Sequence, residues 1–140
     1  MRSRIKGGGH ALVSGRRPIE AALKATDFDN LVLLPADFSY RNMDLELDDT
    51  KRPTTRLGQL LGSVADDYDV VFLDCPPSIS LVSENVMHAS DTLLVPLIPA
   101  TLSLRTFDQL IRFVADSDGR HPEVVAFFSM ADRRKHLHRR

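Results

Sequence analysis

The sequence predicts an α/β fold: a layered, mainly parallel sheet with helices on both faces. Two observations carry this. Short runs that are apolar throughout recur along the chain, and the stretches between them place apolar residues at helical spacing. Strands buried on both faces read as continuous apolar runs, and parallel strands need helical crossovers to connect them.

The opening segment, Arg2 to Arg17, is basic and rich in glycine, without sustained periodicity, and is expected to be a loop or mobile arm. Residues 1–17 are therefore set apart from a domain over 18–140. Pro18 suits the first turn of a short helix carrying Ile19, Ala22 and Leu23. Leu31 to Leu34, stopped by Pro35, is the first predicted strand. From Thr54 to Val64, the residues Leu57, Leu60, Leu61 and Val64 fall at i, i+3, i+4 and i+7, which makes one apolar stripe on a helix begun by Pro53 and Thr54.

Asp69 to Asp74 is the second predicted strand, Thr92 to Leu97 the third, and Val124 to Phe128 the fourth. Helices are expected from about Leu81 to Ala89 and from about Leu104 to Ala115, the latter with Leu104, Phe107, Leu110, Ile111 and Val114 on one face. Strand and helix alternate from Leu31 onward, the order of a parallel sheet built by crossovers.

Composition excludes several classes. With 43% apolar and 26% charged residues, the chain has the balance of a domain with one core. Its longest apolar runs fall far short of the roughly 20 residues needed to cross a bilayer, and its start lacks the apolar core of a secretion signal. Cys75 is the sole cysteine, so no internal disulfide forms, and a cytoplasmic location is expected. The net charge of −1 hides an uneven distribution: Met1 to Arg17 holds only basic charges, Asp37 to Asp49 is acidic, and Asp132 to Arg140 is mostly Arg, Lys and His.

Ligands of open parallel sheets bind beyond the carboxyl ends of the strands. Among the residues that follow the apolar runs, Val70-Val-Phe-Leu-Asp-Cys-Pro-Pro-Ser78 is the most specific pattern. Four apolar residues carry a carboxylate to the sheet edge, and two prolines fix the next turn. Such a carboxylate can hold a metal ion, directly or through water, or orient an attacking water. It can equally cap the following helix, and the spacing leaves both roles open.

Tyr68-Asp-Val-Val-Phe-Leu-Asp-Cys-Pro-Pro-Ser-Ile-Ser80 resembles the second nucleotide-site motif of ParA/MinD-type partition ATPases. Thr92-Leu-Leu-Val-Pro-Leu-Ile-Pro-Ala-Thr-Leu-Ser-Leu104 is similar to the strand and loop that follow it there. Leu33-Leu-Pro-Ala-Asp37 upstream and Ser129-Met-Ala-Asp-Arg-Arg134 downstream extend the resemblance over nearly the whole chain. It implies a P-loop NTPase-like fold and a role in plasmid or chromosome partitioning or cargo positioning, with ATP and Mg2+ as cofactors. Asp74 would coordinate magnesium or its water and serve catalysis. Pro76 and Pro77 would shape the segment that senses the γ-phosphate. Ser129 and Met130 would lie where the family approaches the adenine, and Asp132 and Arg134 match the Asp-x-Arg that follows.

One departure is large. The family's Lys-Gly-Gly-x-Gly-Lys-Thr/Ser loop does not occur in these 140 residues, and Lys6-Gly-Gly-Gly-His10 has neither a preceding strand nor a Lys-Thr pair. The resemblance therefore implies an ATPase-domain fragment beginning after the loop and ending before the final helices, unable to hydrolyse ATP alone. Apolar strand edges left by the missing loop strand imply self-association or a partner ATPase or regulator. A nucleotide-independent interaction module is the alternative. The basic C-terminal tail suggests non-specific DNA contact.

Other candidates have plainer readings. The five histidines lack a compact zinc spacing. Cys75 has no histidine base evident in sequence, and Ser78, Ser80 and Ser83 suit a helix start. Asp44, Glu46, Asp48 and Asp49 lack the glycine and glutamate of a calcium loop and are expected in a solvated loop or short helix.

Overall fold

The computed structural model describes residues 8–35, 38–75 and 80–132. They fall into two compact units, one ending at Ala89 and the other beginning at Ser90.

The described part of the first unit begins with helix α1, Gly8–Val13, in place of the loop or arm that the glycine-rich sequence predicts. The helix forms because Leu12 and Val13 have a core to enter: both are buried, and Leu12 packs with Ala22 against Leu34 and Tyr40. The triple glycine conceals this, since it lowers helix propensity without preventing burial from setting the structure. Ile19–Ala22 forms a single 3-10 turn behind Pro18 and buries Ile19 and Ala22.

The first predicted strand shrinks to β2, Val32–Leu33, and pairs antiparallel with β1, Lys24–Ala25. A local hairpin replaces the expected parallel partner. The Thr26 hydroxyl donates to the Leu31 carbonyl at 2.9 Å, and Asn30 turns the chain at φ 58°, a conformation that asparagine tolerates. After a 3-10 turn at Phe38–Asn42 come α2, Met43–Asp48, and α3, Arg56–Gly62. The acidic stretch is thus a short helix, with Leu47 buried beneath it. Helix α4, Leu81–Ala89, packs on α2 and α3.

The second predicted strand is not one. Among the described residues, 69–74 join no ladder, and Val70, Val71 and Phe72 are exposed, Phe72 by 80%. The apolar run is real, but a strand also needs a neighbour for its backbone groups, and these residues have none among the described residues.

The second unit is a β-α-β arrangement: β3, Thr92–Leu97; α5, Thr101–Asp116; and β4, Glu123–Phe128. The two strands pair in parallel from Thr92↔Glu123 to Leu97↔Phe128, and α5 packs on β3. Parallel strands joined by a helical crossover bear out the α/β class. Burial is less complete than the apolar runs suggest: β3 turns Leu97 inward while Leu94 stays exposed, and Phe127 and Phe128 of β4 are exposed.

Candidate functional site

Asp74 stands at the end of the exposed apolar run. Its carboxylate makes no hydrogen bond or ion pair among the described residues, so the helix-cap role is not seen there. Pro76, Pro77 and Arg134 lie outside the described residues. Cys75 follows Asp74, and its sulfur donates to the Leu73 carbonyl at 3.3 Å. Desolvation, and secondarily the Asp74 carboxylate, push the Cys75 thiol up from its ordinary range.

A raised thiol pKa keeps the sulfur protonated at neutral pH, and only the thiolate is a nucleophile. Cys75 should therefore alkylate with iodoacetamide more slowly at pH 7 than an unstructured cysteine peptide, catching up only at alkaline pH. Asp74→Asn removes the smaller cause and should speed the reaction by less than about tenfold, the factor for one full unit of pKa. Alkylation faster than the peptide's at pH 7 would refute this account.

In the second unit, Ser129 extends the β3–β4 pairing, its amide donating to the Leu97 carbonyl at 2.8 Å. Met130 then adopts φ 55° with its side chain 76% exposed, a left-handed turn that a non-glycine residue seldom takes. Asp132 is half-buried. Ser129, Met130 and Asp132 thus follow closely on the carboxyl end of β4. Asp74 belongs to the first unit.

Two residues that the sequence pattern does not single out hold the chain beyond Asp74. Asn85 is completely buried on α4. Its Oδ1 accepts the Leu57 amide at 3.0 Å, while its Nδ2 donates to the Leu81 carbonyl at 2.9 Å and to the Pro53 carbonyl. Asp44, from α2, accepts the Val82 amide at 2.9 Å and so satisfies a first-turn donor of α4. The available signal for Asn85 was an amide side chain amid the apolar residues of a predicted helix. Asp44 gave none, because its partner lies 38 residues away.

The sequence profile of the AAA domain family matches residues 9–122. The sporulation initiation inhibitor protein Soj of Bacillus subtilis is 34% identical over 92 residues, which are 66% of this chain and 36% of that protein. The chromosome partitioning protein ParA of Caulobacter vibrioides is 31% identical over 105 residues, 74% of this chain and 39% of that protein. Among solved structures, cobyrinic acid a,c-diamide synthase from Mycobacterium smegmatis, with bound ADP and magnesium, superposes with a TM-score of 0.82 at 28% identity, covering 94% of this chain and 55% of that one. A plasmid partition protein from Borrelia burgdorferi gives 0.82 at 18% identity over 94% of this chain and 56% of that one, a likeness of fold. The chain spans less than half the length of these two curated relatives and little more than half of the solved chains.

Proposed function

Because the chain belongs to the AAA domain family, in its ParA/MinD-type branch of partition ATPases, we propose that these residues supply the acidic edge of an ATP and magnesium site serving the partitioning or positioning of DNA or other cargo. The observation that carries this reading is the carboxylate of Asp74, held at the end of an apolar run with its oxygens uncommitted among the described residues.

One free carboxylate fits magnesium, which keeps several waters and takes one or two protein carboxylates. The bound ion would neutralise charge developing on the transferred phosphoryl group. Asp74 would hold that ion or its water, and Pro76 and Pro77 would set the path of the segment facing the γ-phosphate. Ser129 and Met130 would approach the adenine from the segment after β4, and Asp132 and Arg134 would belong to the Asp-x-Arg that follows in the sequence.

Phosphoryl transfer depends on positioning and on charge stabilisation, and each donor withheld from the transition state costs about 3 kcal/mol. The 140 residues contain no phosphate-loop lysines, so on this reading they do not hydrolyse ATP by themselves. The exposed run Val70 to Phe72 favours a companion role: it offers unpaired backbone to a second copy or to a partner ATPase or regulator by strand addition.

Calorimetric titration with Mg-ATP, with light scattering alongside, tests the reading. Magnesium-dependent binding that weakens in Asp74→Ala, without turnover, is the expected result. Absence of any nucleotide effect, with association intact, would replace the reading by a nucleotide-independent interaction module.

A further inference from the structure

A cleft of about 630 Å³ opens in the first unit between α1, the turn after α2, and α3. It shares no residue with the Asp74 motif. Its walls carry three fixed cations, Lys51, Arg52 and Arg56, and two carboxylates, Glu46 and Asp49.

Two features set this cleft apart from an ordinary solvated surface. The first is that its opposite charges do not neutralise one another: no ion pair joins these five side chains, and Glu46 Oε2 is buried without a hydrogen-bond partner among the described residues. A buried carboxylate oxygen left in that state is costly unless something supplies a donor. The second is that Arg56 is held ready. Its Nε donates to the Val13 carbonyl at 2.6 Å and one terminal nitrogen to Gln59 Oε1 at 3.1 Å, which fixes the plane of the guanidinium. A guanidinium fixed in this way loses little freedom on meeting a planar pair of anionic oxygens.

We propose that this cleft binds a phosphorylated small molecule that also carries an N–H or O–H donor, its phosphates met by Lys51, Arg52 and Arg56 and its donor by Glu46. Cations outnumber carboxylates, which favours a multiply charged anion, and arginine suits phosphate by its forked donors. The volume falls in the range of small-molecule sites and admits a ligand of nucleotide size. Asp49 limits the excess charge and works against polyanions that bring no donor.

The test is calorimetry on the full chain in EDTA, with ATP, pyrophosphate and adenosine as separate probes. This removes magnesium and with it the Asp74 site, so the inference and the proposed function fail independently. ATP is expected to bind more tightly than pyrophosphate, and adenosine not at all. The double charge reversal Lys51→Glu with Arg52→Glu, at two exposed positions, should weaken ATP at least about tenfold, the scale of a lost charged hydrogen bond.

Glu46→Leu separates ligand recognition from mere structure. It removes the orphaned oxygen, so the thermal midpoint should rise while ATP weakens about tenfold and pyrophosphate is unchanged. A midpoint that rises with ATP affinity untouched would overturn the assignment of Glu46. No heat from any probe up to about 1 mM, near the weak end of specific binding, would overturn the site. So would ATP binding indifferent to the double reversal.

Discussion

Replacing Asn85 by alanine should destabilise the first unit by about 3 kcal/mol, a large part of the 5–15 kcal/mol that typically separates folded from unfolded domains. The side chain is wholly buried and ties three segments: the Pro53 carbonyl before α3, the Leu57 amide in the first turn of α3, and the Leu81 carbonyl opening α4. Alanine leaves the Leu57 donor and the Pro53 acceptor without this partner, and each such buried group costs about 1–3 kcal/mol. Leucine restores volume but no hydrogen bonds and should do little better.

Aspartate is the sharper probe. Its carboxylate still accepts from Leu57 but faces the Pro53 and Leu81 carbonyls with no hydrogen to offer. Burial and those two dipoles raise the carboxyl pKa in the folded state above its unfolded value. A raised folded pKa means that stability is present at low pH and is lost as pH rises through that value. Asn85→Asp should therefore resist urea better at mildly acid pH than at neutral pH, whereas Asn85→Ala should show no such recovery. A flat pH response of the aspartate variant would mean that the site is wetter than the structure shows.

The second large effect is expected at Gly9. A β-carbon there would lie 2.8 Å from Tyr40 Cδ1 and 3.2 Å from Cε1, inside van der Waals contact with an aromatic ring. Alanine gains about 1 kcal/mol of helix propensity over glycine, but overpacking costs about 1–3 kcal/mol. The clash should win, leaving Gly9→Ala net destabilised by about 1 kcal/mol. In a Tyr40→Ala background the ring is gone and the sign should reverse, with Gly9→Ala now stabilising. A double-mutant cycle by urea denaturation reads this directly, and additive effects would show that the ring yields freely.

What the sequence made legible follows from the range of the forces involved. Helix α4 and strand β3 have the predicted ends, and α5 and β4 lie within a few residues of theirs, because periodicity and local propensity define them. The motif around Asp74 was equally plain, since it is contiguous. Partner choice was not. Val32–Leu33 pairs with two residues, Lys24–Ala25, too few to show any alternation, and 69–74 has every mark of a strand except a neighbour among the described residues. Asn85 and Asp44 matter through bonds spanning 28 to 38 residues, which no local pattern records.

Pro96 gives the edge of β3 a grammar of its own. The carbonyls of Asp91 and Leu97 accept amides from the β4 side, so the alternating residues 92, 94 and 96 direct their backbone groups to the opposite edge. Thr92 and Leu94 each present an amide there, while Pro96 has none. A chain aligning along that edge finds donors near the amino end of β3 and then a gap. Accretion of like strands is punctuated at that point, as natural sheet edges commonly are.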